Sequence, residues 1–175
     1  RPIPVFIGYD PHERAAVNVL IDSLYQHSSQ PLALTPIVAR QLEGLYRRER
    51  DPRQSTEFSF SRFLVPCLMD YKGWAIFMDC DMLVLDDIAK LWALRDEKYA
   101  VMCTQHDHQP REAVKFLGAP QTPYAKKNWS SVMLFNNVRC QALTPERVNT
   151  ASGLELHQFK WLSGDDEIGS LPLHW

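Results

Sequence analysis

The sequence contains no apolar run near the roughly 20 residues that a membrane-spanning helix needs, so no transmembrane segment is expected. It lacks a basic excess: 19 Lys and Arg stand against 21 Asp and Glu, a net charge of −2. Nothing in that balance favours nucleic acid or an anionic membrane surface. Paired cysteines are missing. Cys67, Cys80, Cys103 and Cys140 lie far apart and read as reduced, mostly buried thiols, the usage expected of a cytoplasmic protein. There is no internal repeat and no low-complexity stretch. The opening Arg-Pro-Ile-Pro-Val-Phe-Ile reads as a strand lead-in and not as a signal peptide. What is present, 45% hydrophobic and 23% charged residues over 175 positions, fits one soluble domain with a sizeable core.

The most informative stretch is Trp74-Ala-Ile-Phe-Met78 followed by Asp79-Cys80-Asp81. A short unbroken apolar run reads as a strand buried on both faces. Two carboxylates then fall where that strand ends, and open α/β sheets bind ligands beyond the carboxyl ends of their strands. Hard divalent cations take oxygen ligands and bridge carboxylates to phosphates. Asp79 and Asp81 are thus candidate ligands for a metal on a phosphorylated substrate. The plainer alternative is a solvated acidic turn.

Elsewhere the pattern alternates between strands and helices, which predicts an α/β fold with a mixed or mostly parallel sheet. Pro4–Gly8 reads as a first strand. Asp10, Pro11 and Glu13 have the spacing of a helix cap, a first helical proline and a capping-box acid, for a helix over 11–28. Tyr9 and Asp10 sit at the mouth of that strand, where Asp10 either only caps the helix or also meets, with Tyr9, a nucleotide base or ribose. Leu32–Val38 reads as a second strand, kept to an edge by its prolines. Arg47–Arg53 reads as a loop whose arginines form a solvated face or, less commonly for such a run, a phosphate clamp. Phe58–Tyr71 reads as a helix with one apolar stripe, capped by Ser59 or Ser61 and bent at Pro66. Arg62 lies off that stripe, either exposed or aimed at Asp79 or a phosphate.

Asp86 or Asp87 reads as the cap of a short helix, and Tyr99–Thr104 as a strand. His106, Asp107 and His108 are metal-ligand types, but no second compact cluster completes a zinc site. Val114–Lys127 reads as loop with a short helix. Ser130 and Ser131 precede a strand over Val132–Phe135 and are candidates for lining a sugar pocket, with Trp129 either stacking on a sugar or packed in the core. Thr144-Pro145-Glu146 opens another short helix. Residues 154–162 give no clear pattern. Gly164–Gly169 is a second acidic knot, and the chain stops abruptly after Trp175.

Taken together, four of these stretches resemble glycosyltransferase family 8. They are the opening strand with Tyr9-Asp10, the helix Phe58-Ser59-Phe60-Ser61-Arg62-Phe63, the Asp-x-Asp strand Phe77–Val84, and Ser131–Asn136, which is similar to the family's Gly-Val-Leu-Leu-Ile-Asn strand. The resemblance implies a GT-A-type, Rossmann-like mixed sheet flanked by helices, truncated at its C-terminus. It implies Mn²⁺ (or Mg²⁺) held by Asp79 and Asp81 on the diphosphate of a nucleotide sugar, with a UDP-sugar as donor and a carbohydrate or glycoconjugate as acceptor. Arg62 would face the donor, and Tyr9 and Asp10 the uridine. Asp165-Asp166-Glu167-Ile168 looks like the family's Asp-Gln-Asp-Ile, which would make Asp165 a sugar contact and put Asp166 near the anomeric carbon as the catalytic pair. Three departures are visible. Asp166 replaces a neutral amide, Trp129-Ser130-Ser131 replaces Asn-Ala-Gly, and the family's third metal ligand, in a His-x-x-Gly-x-Lys-Pro segment, is not in this chain. Two rival readings follow. One is a haloacid-dehalogenase-like phosphatase built on Asp79, Asp81, Thr104, Lys160 and the Asp165-Asp166 pair. The other is a nucleotide-sugar-binding module without turnover.

Overall fold

A computed structural model describes residues 1–52, 54–105 and 125–175. Six strands form one sheet: β1 (Ile3–Gly8), β2 (Leu32–Ile37), β3 (Trp74–Met78), β4 (Val101–Thr104), β5 (Val132–Asn136) and β6 (Ile168–Leu171). Their order is β2-β1-β3-β5-β4-β6. β1 runs parallel to β2 and β3, and β4 parallel to β6. β5 is antiparallel to both its neighbours, β3 and β4. The sheet is therefore mixed. Every residue of β3 and β5 is buried, as their unbroken apolar runs require for central strands. β2 carries Pro36 and lies at an edge, where a missing N–H costs least.

The register fixes which residues share an end of the sheet. β1 and β3 finish together, Met78 pairs with Val132 at the start of β5, and Cys103 near the end of β4 pairs with Met133. Tyr9-Asp10, Asp79–Asp81, Ser130-Ser131 and Thr104 thus share one end, called here the tip. β6 runs with β4, so Leu171 lies at the tip beside Thr104, whereas Ile168 lies beside Val101 at the far end.

Among the helices, a 3-10 turn Pro11–Glu13 leads into α1 (Arg14–His27). Val17, Leu20 and Leu24 of α1 join the core at the expected spacing. Asp10 caps the turn by accepting from the His12 N–H. Glu13 does not complete a capping box. Its carboxylate accepts from the Cys80 thiol at 3.1 Å instead, tying the start of α1 to the acid turn. Burial and that neighbouring carboxylate push the Cys80 thiol pKa up, so it stays a thiol.

The expected single helix over 58–71 is broken. α2 (Phe58–Ser61) and α3 (Val65–Leu68) flank a 3-10 turn Arg62–Leu64, and Asp70 and Tyr71 have positive φ. Every position from Phe58 to Pro66 is buried, so there is no apolar stripe with a polar back. Neither Ser59 nor Ser61 caps α2: the Ser59 hydroxyl bonds to Thr56. Pro66 sits in the first turn of α3, where its missing N–H is harmless.

α4 (Ile88–Ala93) is capped by Asp87 through the Ala89 N–H, and α5 (Pro145–Thr150) by Thr144 through Arg147. α6 (Gly153–His157) and β6 arise from stretches without a legible pattern. The four cysteines are free, and three are buried. No described helix is long and apolar enough to cross a membrane. The residues expected to form a histidine-aspartate cluster at 106–108, and most of 114–127, lie outside the described residues.

Candidate active site

The acid turn at the end of β3 is the polar centre of the tip. Arg62, expected to be either exposed or aimed at Asp79, is buried and donates from Nη1 to Asp79 Oδ1 at 2.7 Å. The same Nη1 donates to the Ser130 carbonyl at 2.9 Å, and Nε to the Phe58 carbonyl at 3.2 Å. Its guanidinium lies 5.2 and 5.1 Å from the ring centres of Phe58 and Phe77, which hold the planar charge in place. The backbone of Asp79 donates to the Ser131 carbonyl at 2.9 Å, and the nearby Ser131 side chain favours the charged form of the Asp79 carboxylate.

Asp79 is only 17% exposed in its side chain. Burial pushes its carboxyl pKa up to about 6; Arg62 opposes that rise and the Asp81 carboxylate adds to it. Asp81 is exposed. One desolvated carboxylate beside one open carboxylate makes a concentrated negative site that a cation would relieve. The donors are all oxygen, as Mn²⁺ or Mg²⁺ prefers. Among the described residues, no group of three or more His, Cys, Asp or Glu is arranged to hold a metal. The pair therefore fits a cation whose remaining ligands come from substrate oxygens and water.

Tyr9 and Asp10 lie at the same tip, after β1. Asp10 is buried and accepts from the His12 N–H at 2.9 Å, the His12 ring at 2.8 Å and the Glu57 N–H at 3.0 Å. Burial raises its pKa, and these donors lower it by more, so the net shift is downward. Its carboxylate acts as a structural cap that binds the approach to α2. Ser130 is buried, its hydroxyl 2.7 Å from His157 Nδ1, so this side chain faces α6.

Asp165 and Asp166 belong to the acidic knot before β6. They lie in a 3-10 turn that enters β6 from the far end, where the Ala100 N–H bonds to the Glu167 carbonyl. The expectation that they form the catalytic pair comes from the resemblance of residues 165–168 to the family's Asp-Gln-Asp-Ile. Asp165 reaches Lys126, which leads into the turn before β5 at the tip, and Asp166 is exposed. The phosphatase reading loses its parts. Thr104 donates to the Trp175 carbonyl at 3.1 Å, and Lys160 and Asp166 are exposed.

Two tip residues escaped the sequence. Lys126 Nζ bonds the Gln158 carbonyl at 3.0 Å from a residue with positive φ. His157 bridges Ser130 and Ser59. Both work through contacts distant in sequence, which no local spacing encodes.

Comparison with known proteins defines first the class of fold. GlyE of Streptococcus pneumoniae TIGR4, a glycosyltransferase, superposes with a TM-score of 0.58 at 16% identity, over 97% of this chain and 45% of GlyE. Mouse xyloside xylosyltransferase 1 gives 0.55 at 12% identity, over 100% of this chain and 87% of that enzyme. The mixed sheet flanked by helices is that of the GT-A glycosyltransferases. The particular family follows from the sequence: the profile of glycosyl transferase family 8 matches residues 18–141, and the chain belongs to that family. Protein CDI of Arabidopsis thaliana is 52% identical over 179 residues, covering 100% of this chain and 69% of CDI. General stress protein A of Bacillus subtilis is 25% identical over 130 residues, covering 73% of this chain and 45% of that protein. The chain thus spans about two thirds of CDI and less than half of GlyE. Family membership overturns the phosphatase reading.

Proposed function

We propose that this chain carries the donor half of a glycosyltransferase that moves a sugar from a nucleotide sugar, first of all a UDP-sugar, to a carbohydrate or glycoconjugate acceptor. The observation that carries this reading is the half-buried Asp79 with Arg62 against it and Asp81 open beside it, at the tip of a GT-A sheet. Asp79 and Asp81 would hold Mn²⁺ or Mg²⁺ on the diphosphate, where a cation stabilises the negative charge that grows as the glycosidic bond breaks. Arg62 fixes the rotamer of Asp79 through Oδ1 and adds a positive charge beside the departing phosphates. Tyr9, at the mouth of β1, faces the nucleoside, and Asp10 shapes that mouth by holding 10–12 against 57. Ser131 borders the carboxylates from β5, and Ser130 supports it from behind. Asp165, paired with Lys126, would contact the donor sugar, and the exposed Asp166 would stand near its anomeric carbon.

The test is incubation of the protein and Mn²⁺ with a panel of nucleotide sugars, read by mass spectrometry for nucleoside diphosphate and transferred or hydrolysed sugar. Release of UDP from at least one UDP-sugar is expected. Thermal stabilisation by UDP with Mn²⁺ but no release from any donor would indicate a binding module instead. Hydrolysis of a generic aryl phosphate would contradict both.

A further inference from the structure

Arg62 holds Asp79, but Arg62 is itself held by a carbonyl whose position is set elsewhere. The Ser130 carbonyl accepts from Arg62 Nη1 at 2.9 Å, and the Ser130 hydroxyl meets His157 Nδ1 at 2.7 Å. The other ring nitrogen, Nε2, lies 2.8 Å from the Ser59 carbonyl. A carbonyl oxygen only accepts, so Nε2 carries the proton and Nδ1 is left to accept from the Ser130 hydroxyl. The ring stands edge-on to Phe63 at 5.1 Å between centres, in an 89° T-shape. The imidazole is thus fixed at both nitrogens and along its edge. It joins the end of α6 to the turn before β5 and to α2, the two segments that meet at Asp79.

We propose that His157 is a positioning residue for the acid turn, acting through Ser130 and Arg62 to set the Asp79 carboxylate. The chain of contacts runs His157 Nδ1, Ser130 hydroxyl, Ser130 carbonyl, Arg62 Nη1, Asp79 Oδ1. No element of it lies within the Asp-x-Asp stretch beyond its last member. The importance of His157 to cation binding rests on the reading of Asp79 and Asp81 given above; its hold on Arg62 does not.

The test uses the metal-free protein first. Arg62 guanidinium protons are followed by NMR, assigned by their loss in Arg62→Lys. The parent should show slowly exchanging Arg62 resonances. His157→Phe keeps a ring against Phe63 but no nitrogens, and should lose them. His157→Asn places an acceptor where Nδ1 stood and should restore them, whereas His157→Gln, which places its amide at the Nε2 end, should not. Ser130→Ala breaks the same link from the other side, and should match His157→Phe if that variant folds poorly. Mn²⁺ alone is then titrated by electron paramagnetic resonance. Loss of affinity of about tenfold is expected in His157→Phe and Ser130→Ala, with recovery in His157→Asn. Unchanged Arg62 resonances in folded His157→Phe or Ser130→Ala, or equal behaviour of the Asn and Gln variants, would overturn the proposal. A parent protein that takes up no Mn²⁺ would sink the cation reading, while the guanidinium signals would still decide the role of His157.

Discussion

Asp10 ties two segments of the tip together through one carboxylate. Its two carboxylate oxygens receive three donors, two from His12 and one from Glu57, 47 residues further along the chain than Asp10. A neutral amide there keeps the shape but weakens charge-assisted bonds and presents an N–H₂ to a donor. Asp10→Asn is therefore expected to cost about 1–2 kcal/mol at pH 7, measured by urea unfolding. The sign of the pH dependence follows from the lowered pKa. A group whose folded pKa lies below its unfolded value of 3.8 stabilises fully above that value and loses its contribution as pH falls through the folded pKa. The gap between parent and variant should close as pH drops below 3.8. A gap that stays constant into acid would show that the carboxylate charge is not what holds the segments.

At the scale of elements, the segment 42–52 and α5 are joined by an arginine that composition alone assigns to a solvated face. Arg48 lies 3.6 Å from the centre of the Phe60 ring and donates to the Val148 and Ala151 carbonyls at 3.0 and 2.6 Å. A lysine retains the charge but neither the planar stack nor both bonds in one geometry. Arg48→Lys is expected to lower stability by about 1 kcal/mol or more by urea unfolding, with the Asp79 site untouched. A loss in Mn²⁺ binding with no loss in stability would contradict that division. The same comparison shows what a sequence can reveal. β1, β3, β5 and the caps at Asp10, Asp87 and Thr144 were legible because each depends on neighbours in the chain: an apolar run, or a side chain two or three positions from an N–H. The break in 58–71 was not, because burial on every side erases the periodicity that marks a helix face. The acidic knot is legible as a local pattern, but its place at the start of β6 is decided by the pairing of β6 with β4, which joins residues distant in sequence.

At the scale of the whole molecule, one antiparallel strand organises the site. Because β5 runs against β3 and β4, its start, not its end, meets the carboxyl ends of β1 and β3. That reversal carries Ser130 and Ser131 to the acid turn, and with them the carbonyls that hold Arg62 and the Asp79 backbone. α6 reaches the same place through His157. The sheet order and the family profile over 18–141 place the chain among glycosyltransferases of family 8, and the polar tip is where such a sheet binds its ligand. Titration calorimetry of UDP in the presence of Mn²⁺ tests this account most directly, run on the parent, Asp79→Ala and Asp81→Ala. The account predicts Mn²⁺-dependent binding to the parent and its loss in both folded variants. Equal binding in either variant would contradict it.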